Sequence, residues 1–273
     1  MTITRHALTE PEAAHRWQAR ALAERTAPMD GMWEAFARAG TQVELRRGAT
    51  PVACYAVHGP GALLQFVVDP AQLASARRLF VHAVEDERVS HAVVGTNDPH
   101  LLSLCLDHQR GVAVQTFLYQ LDQVLAPDAA HAGAELRAAR AHELARIVDF
   151  QRQCLVSADD PSDFLRAYSG RLIERGELFV LSRGGAWLGL GERRRSDTQR
   201  GVADLGVMVA PEQRARGLGT DILRRLVGQC RDLGLAPICS TTVDNVGSQR
   251  AIARAGFVSR HRMVRVAFTV DAV

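Results

Sequence analysis

The densest concentration of residue types suited to binding chemistry is Val207–Thr220, which reads V-M-V-A-P-E-Q-R-A-R-G-L-G-T. A β-branched run ends at Pro211, the spaced set Arg214-x-x-Gly217-x-Gly219 follows, and a helical pattern begins. Gly217 and Gly219 let the backbone come close to a ligand. A helix starting there presents unpaired N–H groups and the positive end of its dipole, which together suit a diphosphate. Two better-known phosphate loops are excluded. The stretch has no Gly-Lys-Ser/Thr ending, since the chain contains no lysine, and no G-x-G-x-x-G.

A second set lies downstream. Asn245-Val-Gly-Ser248 opens a helical pattern that closes on Arg254-Ala-Gly256-Phe257. Read alone, Asn245 is a helix cap and Gly256 a helix stop. Taken with the first set, it resembles the acetyl-CoA signature of the GNAT superfamily of N-acetyltransferases. That signature is Gln/Arg-x-x-Gly-x-Gly/Ala after a strand and a Pro, with an Asn-initiated helix ending in Gly-Phe further on. The resemblance covers residues 134–273.

The resemblance implies acetyl-CoA as co-substrate, no metal, and direct attack by a primary amine in a ternary complex. Arg214, Ala215, Arg216, Gly217, Leu218, Gly219 and Thr220 would hold the pyrophosphate. Val207, Met208 and Val209 would pair with the pantetheine amides as though these were another strand, the sheet splaying between this strand and Pro237–Val243. A backbone N–H near Met208 or Val209 would receive the developing oxyanion. Asn245 and Ser248 would touch the CoA arm. The amine needs a general base, for which Glu192 is the first candidate and Asp204 the second. Glu192 opens the run E-R-R-R and reads equally as an exposed charge paired with Arg193 or Arg194. Family members carry a Tyr four residues before the closing Gly as the acid for the thiolate. Here that position is Ile252, which cannot donate, leaving Ser248 as a substitute relay. Cys239 could suggest a ping-pong thiol, but an apolar strand setting makes it a core cysteine.

These residues need a scaffold. Alternating and helical spacings predict strands at Glu135–Ala139, Glu177–Ser182, Ala186–Glu192, Ala203–Val209, Pro237–Val243 and Phe257–Val270. Helices are predicted at Ala141–Cys154, Ser162–Arg175, Leu218–Leu233 and Val246–Ala255. The N-terminal half echoes this plan. Thr9-x-x-Glu12 predicts a capping box for a helix to Ala23, and a short helix follows at Met32–Ala39. Strands are predicted at Gln42–Arg46, Val52–Val57 and Leu63–Val68, a helix runs to Leu106, and Val112–Leu121 echoes the last strand. Val67-Val68-Asp69-Pro70 parallels Val207–Pro211, but no Arg-x-x-Gly-x-Gly follows it. The expectation is therefore an α/β chain of two tandem GNAT-like domains, each a mostly antiparallel mixed sheet flanked by helices. Residues 1–125 form a degenerate copy without the pyrophosphate loop, 126–133 (A-P-D-A-A-H-A-G) a linker, and 134–273 the working domain.

Composition narrows the function classes. The 273 residues carry a net charge of +3, with 47% hydrophobic and 23% charged residues, values of an ordinary folded chain. The basic residues are all arginine, which reads as a bacterial GC-rich coding bias rather than nucleic-acid binding. The five scattered cysteines lack C-x-x-C spacing, which excludes a zinc site or disulfide framework and points to a reducing, cytoplasmic setting. No signal-peptide core or 18-residue apolar run is present, so no membrane association is expected. Arg193–Arg195, Arg200, His261, Arg262 and Arg265 read as solvated strand edges unless they turn toward an acidic acceptor. The acceptor is a small-molecule amine or a protein amine, and the chain a monomer or homodimer. The competing readings are a non-catalytic CoA sensor or scaffold and an aminoacyl-type transferase. An intact CoA loop and the modest charge argue against the latter.

Overall fold

The computed structural model describes residues 2–155 and 161–268. It is a mixed α/β structure of twelve strands and eight α-helices among the described residues. Two compact units divide it. The first comprises Met1–Phe117 with His261–Val273, the second Leu118–Arg260.

In the first unit the strands run Ile3–Ala7 (β1), Thr41–Arg47 (β2), Thr50–His58 (β3), Ala62–Val68 (β4) and His91–Gly95 (β5). The neighbours β1 to β4 are antiparallel, and β4 and β5 are parallel. The helices are Pro11–Ala23 (α1), Gly31–Ala39 (α2), Ala76–Val84 (α3) and Pro99–Leu106 (α4). Tyr55, Phe66, Leu79, Phe80 and Leu101 fill the core between sheet and helices. The strand Gln109–Leu121 (β6) begins in this unit and ends in the second.

The second unit continues with Glu135–Ala138 (β7), Leu144–Cys154 (α5), Ser162–Glu174 (α6), Leu178–Arg183 (β8), Ala186–Arg195 (β9) and Val202–Val209 (β10). Leu218–Asp232 (α7), Ala236–Thr242 (β11), Val246–Arg254 (α8) and Phe257–Phe268 (β12) follow. Strands β7 to β10 are successively antiparallel, and β10 and β11 are parallel. One face of the sheet carries α5 and α6 over Leu178, Val180, Leu190 and Met208. The other carries α7 at close range. A Cβ at Gly189 or Gly191 would meet Ile222 at 2.9 or 2.8 Å, so the G-L-G of β9 is what lets this helix lie on the strands.

The elements follow the sequence expectation, with differences at β1 and α1. β1 was not read, because its side chains are mostly exposed and polar. Thr9 does not cap α1; Glu10 takes the cap position without a side-chain bond, and Pro11 fixes the first turn. The compact units meet between Phe117 and Leu118 and between Arg260 and His261, so residues 118–133 are grouped with the second unit. The last strand also changes unit along its length. Its distal part pairs antiparallel with β5, Met263 to Ala267 against Gly95 to His91, and Val264, Val266 and Phe268 enter the first core. Thr269 and Val270, the expected end of that strand, lie outside the described residues.

Candidate active site

A sheet opens where a parallel pair stops pairing. The register of β10 with β11 runs only through Val202–Ala236, Ala203–Pro237 and Asp204–Ile238, although both strands continue to Val209 and Thr242. Beyond Asp204 one edge of β10 therefore faces a gap. Which backbone groups face it follows from the other edge. Ala210 N–H donates to Leu188 O at 3.0 Å, and Met208 is opposite Leu190. In an antiparallel ladder such bonded pairs alternate, so Met208 turns its N–H and C=O into β9. Val207 turns its N–H and C=O into the gap, whereas the C=O of Val209 is taken by Cys154 Sγ at 3.6 Å and by Arg214 Nε at 3.4 Å; both residues are only partly buried. By this register the Met208 backbone bonds to β9, and its side chain packs against the α5–α6 core.

The loop after β10 is shaped by two left-handed residues. Ala215 has φ 61°, the sole non-glycine with positive φ among the described residues, and Gly217 has φ 82°. Between them Arg216 keeps an ordinary φ, and such alternation makes successive N–H groups converge. Gly217 is the cap of α7 and supplies no side-chain bond, whereas α2, α4 and α8 are capped by Asp30, Asp98 and Asn245. Among the described residues, no protein acceptor takes the backbone N–H of Ala215, Arg216, Gly217, Leu218, Gly219 or Thr220. These donors, at the positive end of a 15-residue helix, suit the pyrophosphate of CoA. Arg214 is different. Its N–H donates to Pro211 O, and its guanidinium donates to Cys154 O at 2.9 Å and to Val209 O at 3.4 Å. These bonds brace the loop against α5, and the guanidinium keeps further N–H groups beyond the two so engaged.

Gly219 stands at a crossing. A Cβ there would lie 3.6 Å from Ala251 Cβ, 3.7 Å from Val209 Cγ2 and 3.9 Å from Val207 Cγ2. Thr220 Oγ1 donates to Ala251 O at 3.2 Å. The starts of α7 and α8 are thus brought to the same gap. Asn245 Oδ1 accepts from Ser248 N–H at 3.1 Å, so the capping role is present. Ser248 is half-buried at the first turn of α8, and Ile252 is 3% exposed within it. Cys239 is a buried strand cysteine and is in no disulfide.

On the α5–α6 face, Glu192 lies opposite Gly206, two residues beyond the last β10–β11 pair. Tyr168 Oη donates to Glu192 Oε2 at 2.7 Å, and Arg194 donates to Tyr168 Oη at 2.9 Å. Arg194 also reaches Asp204 Oδ2 at 3.0 Å and comes within 3.6 Å of Glu192 Oε2. Asp204 sits at the closed end of the gap, 4% exposed, with its charge taken by Arg194. Glu192 sits where the gap has opened. Burial, then the neighbouring Glu192 carboxylate, push the Tyr168 phenol up, so it stays a proton donor at neutral pH. Tyr168 lies within the helix expected at Ser162–Arg175, and its contact with Glu192 spans 24 residues. The other arginines of the run are engaged. Arg193 donates to Gln229 Oε1 at 2.7 Å and Arg195 to Glu177 Oε1 at 3.1 Å. Of the last-strand residues, His261 meets Thr96 Oγ1 at 3.2 Å and Arg262 stacks over Phe117.

The corresponding place in the first unit is closed. β4 and β5 also pair only at Ala62–His91 and Leu63–Ala92, but Val67 and Val68 are 1% and 0% exposed. Asp69 caps the following turn, accepting from Ala71 N–H at 3.0 Å and from Arg20 at 2.7 Å. A carboxylate thus stands where a phosphate would need donors. Asn97, at the end of β5, donates to Ala27 O and Pro28 O and holds the α1–α2 connection over that strand. Among the described residues no group of side chains fit for a metal occurs, and no helix is long and apolar enough to cross a membrane.

Comparison with known proteins gives the family. Residues 13–122 match the model of an acetyltransferase (GNAT) domain, and residues 144–257 that of the acetyltransferase (GNAT) family. A GNAT-family acetyltransferase from Colwellia psychrerythraea is 31% identical, with a TM-score of 0.89 over 97% of this chain and 100% of that one. A tandem GNAT protein from the clavulanic acid biosynthesis pathway superposes with a TM-score of 0.69 at 15% identity, covering 98% of each chain. A GCN5-related N-acetyltransferase from Sphaerobacter thermophilus gives 0.63 at 13% identity, covering 96% of this chain and 94% of that one. No curated protein matches the chain.

Proposed function

Because the chain belongs to the GNAT superfamily of acetyltransferases and carries two of its domains in tandem, we propose that it is an acetyl-CoA-dependent N-acetyltransferase with one working site, in the second unit. The observation that carries this reading is the edge of β10 at Val207, past the end of its pairing with β11, beside a loop of unpaired N–H donors.

Acetyl-CoA supplies an activated acyl thioester. The residues of this chain do the rest. Ala215 to Thr220 bind the pyrophosphate through backbone N–H groups. Val207 and Val209 align the pantetheine arm, and whichever of their N–H groups faces the thioester oxygen stabilises the charge that develops on it. Glu192 takes a proton from the incoming ammonium, directly or through water, with Tyr168 and Arg194 fixing its carboxylate. Asp204, neutralised by Arg194, holds Arg194 in place rather than acting as base. Ser248 contacts the CoA arm and relays a proton to the departing thiolate, Ile252 being unable to do so. The acceptor is a primary amine of a small molecule or of a protein. The buried Ile252 also fits a second reading, a CoA-binding sensor without turnover.

Calorimetric titration of the full chain with acetyl-CoA, followed by an amine screen, tests the proposal. One site per chain and turnover of an amine are expected. Two sites would overturn the assignment of the first unit, binding without turnover of any amine would favour the sensor, and absence of binding would remove acetyl-CoA as donor.

A further inference from the structure

The segment read as a linker, 126–133, is hydrogen-bonded to α7. Asp128 N–H donates to Asp221 Oδ1 at 2.9 Å. Arg225 donates to Asp221 Oδ2 at 2.8 Å, to His131 O at 3.0 Å and to Ala134 O at 3.0 Å. Asp221 is 0% exposed, one turn into α7. Arg224 adds a bond to Ala126 O at 3.3 Å. Residues 126–134 therefore form a strap whose position is fixed by three side chains of the helix that opens on the phosphate loop.

The strap delivers one side chain to that loop. His131 is 9% exposed, and its Nε2 lies 3.0 Å from Arg216 O. A carbonyl oxygen only accepts, so this nitrogen carries the hydrogen. The bond acts on a whole peptide unit. The Arg216–Gly217 peptide is trans and planar, so its C=O and N–H point in opposite directions. Holding Arg216 O toward His131 aims the Gly217 N–H away from His131, to the open side of the loop. A peptide flanked by left-handed Ala215 and Gly217 has little else to hold it, since neither residue has a side chain that can bond.

We propose that His131 is a positioning residue of the phosphate loop: it sets the orientation of the Arg216–Gly217 peptide and thereby the affinity for the diphosphate of CoA. The inference rests on the reading of this loop as the CoA site. His131 touches neither the acyl group nor the acceptor.

The test is calorimetry of the full chain with CoA and with dephospho-CoA, which keeps the diphosphate and lacks the 3′-phosphate, for the wild type, His131→Ala and His131→Gln. The Gln amide nitrogen stands in for Nε2 as donor. His131→Ala is expected to weaken both ligands about tenfold, the worth of one well-placed hydrogen bond. His131→Gln is expected to recover most of that loss, with ligand-free melting temperatures of the two variants alike. An unchanged affinity in His131→Ala overturns the proposal. So does an equal loss in His131→Gln, which would make the imidazole a packing element, or a loss confined to CoA, which would tie His131 to the 3′-phosphate. Failure of the wild type to bind either ligand is a different result: it removes the CoA site itself.

Discussion

The Glu192 carboxylate lies over Gly206: a Cβ at residue 206 would stand 3.0 Å from Glu192 Oε2. The missing side chain on β10 is what lets an acid from β9 reach across to the strand edge where pairing with β11 has ended. Two substitutions separate presence from position. Glu192→Gln is expected to lower kcat by about 100-fold or more, with acetyl-CoA affinity unchanged. Gly206→Ala keeps the carboxylate but displaces it, and a loss of about tenfold is expected. Steady-state kinetics on an amine substrate checks both. Equal turnover in Glu192→Gln and wild type would transfer the role of base elsewhere.

Joint substitution of Gly217→Val and Gly219→Val is expected to abolish measurable CoA binding. The first forces a β-branched residue to φ 82°, and the second crowds Ala251 and Val209. Loss of two or more aligned N–H donors raises Kd by about 100-fold or more. The left-handed strain itself costs about 1–2 kcal/mol, so melting should fall by only about 3–8 °C. Calorimetry paired with thermal melting distinguishes a lost site from a lost fold.

Glu143 gives the second unit an acid-sensitive contact. It receives both Arg137 nitrogens, at 2.5 and 2.9 Å, and the Arg140 N–H at 2.9 Å. The Arg137 guanidinium leads in lowering its carboxyl from 4.5 to about 2. The folded state thus prefers the ionised form. The contribution is complete above the ordinary carboxylate range and disappears as pH falls toward about 2. Discounted for solvent screening, it is on the order of 1–2 kcal/mol. Urea unfolding should show Arg137→Met less stable than wild type at about pH 6.5 and nearly equal to it at about pH 2.

Removal of residues 261–273 is expected to unfold the first unit selectively. β5 loses the backbone partner it has along Met263–Ala267. The first core loses Val266 and Phe268, 0% and 2% exposed, each worth about 1.5–3 kcal/mol of burial. Limited proteolysis should digest residues 1–117 of the shortened chain while a fragment near 118–260 persists. Uniform resistance would show that the first unit does not need the strand.

The parts of the site that were legible in the sequence are those made locally. Pro211, Gly217 and Gly219 dictate a strand, a turn and a helix start within fifteen residues, and Asn245 caps its own helix at Ser248. What was not legible depends on contacts between distant segments. Tyr168 meets Glu192 only because α6 packs on β9. His131 sits in a stretch of small residues that reads as a linker, and its partner Arg216 is 85 positions away. The spacing Asp221–Arg225 signals a helix pair, but not that both side chains also hold residues 128–134. The direction of the Met208 backbone needed the register with β9, which no single-strand pattern contains. The sharing of the last strand has no sequence signal at all, since its alternation is the same whichever unit receives each half.

That sharing has a consequence for synthesis. A nascent chain emerges from its N-terminus, yet the first unit lacks a strand until residues 261–268 have been made. The second unit, uninterrupted from Leu118 to Arg260, is fully emerged earlier. At about 5–20 residues per second the wait is roughly ten seconds or more. During that time β5 lacks the partner it has along Met263–Ala267, and that edge is open to any strand that reaches it.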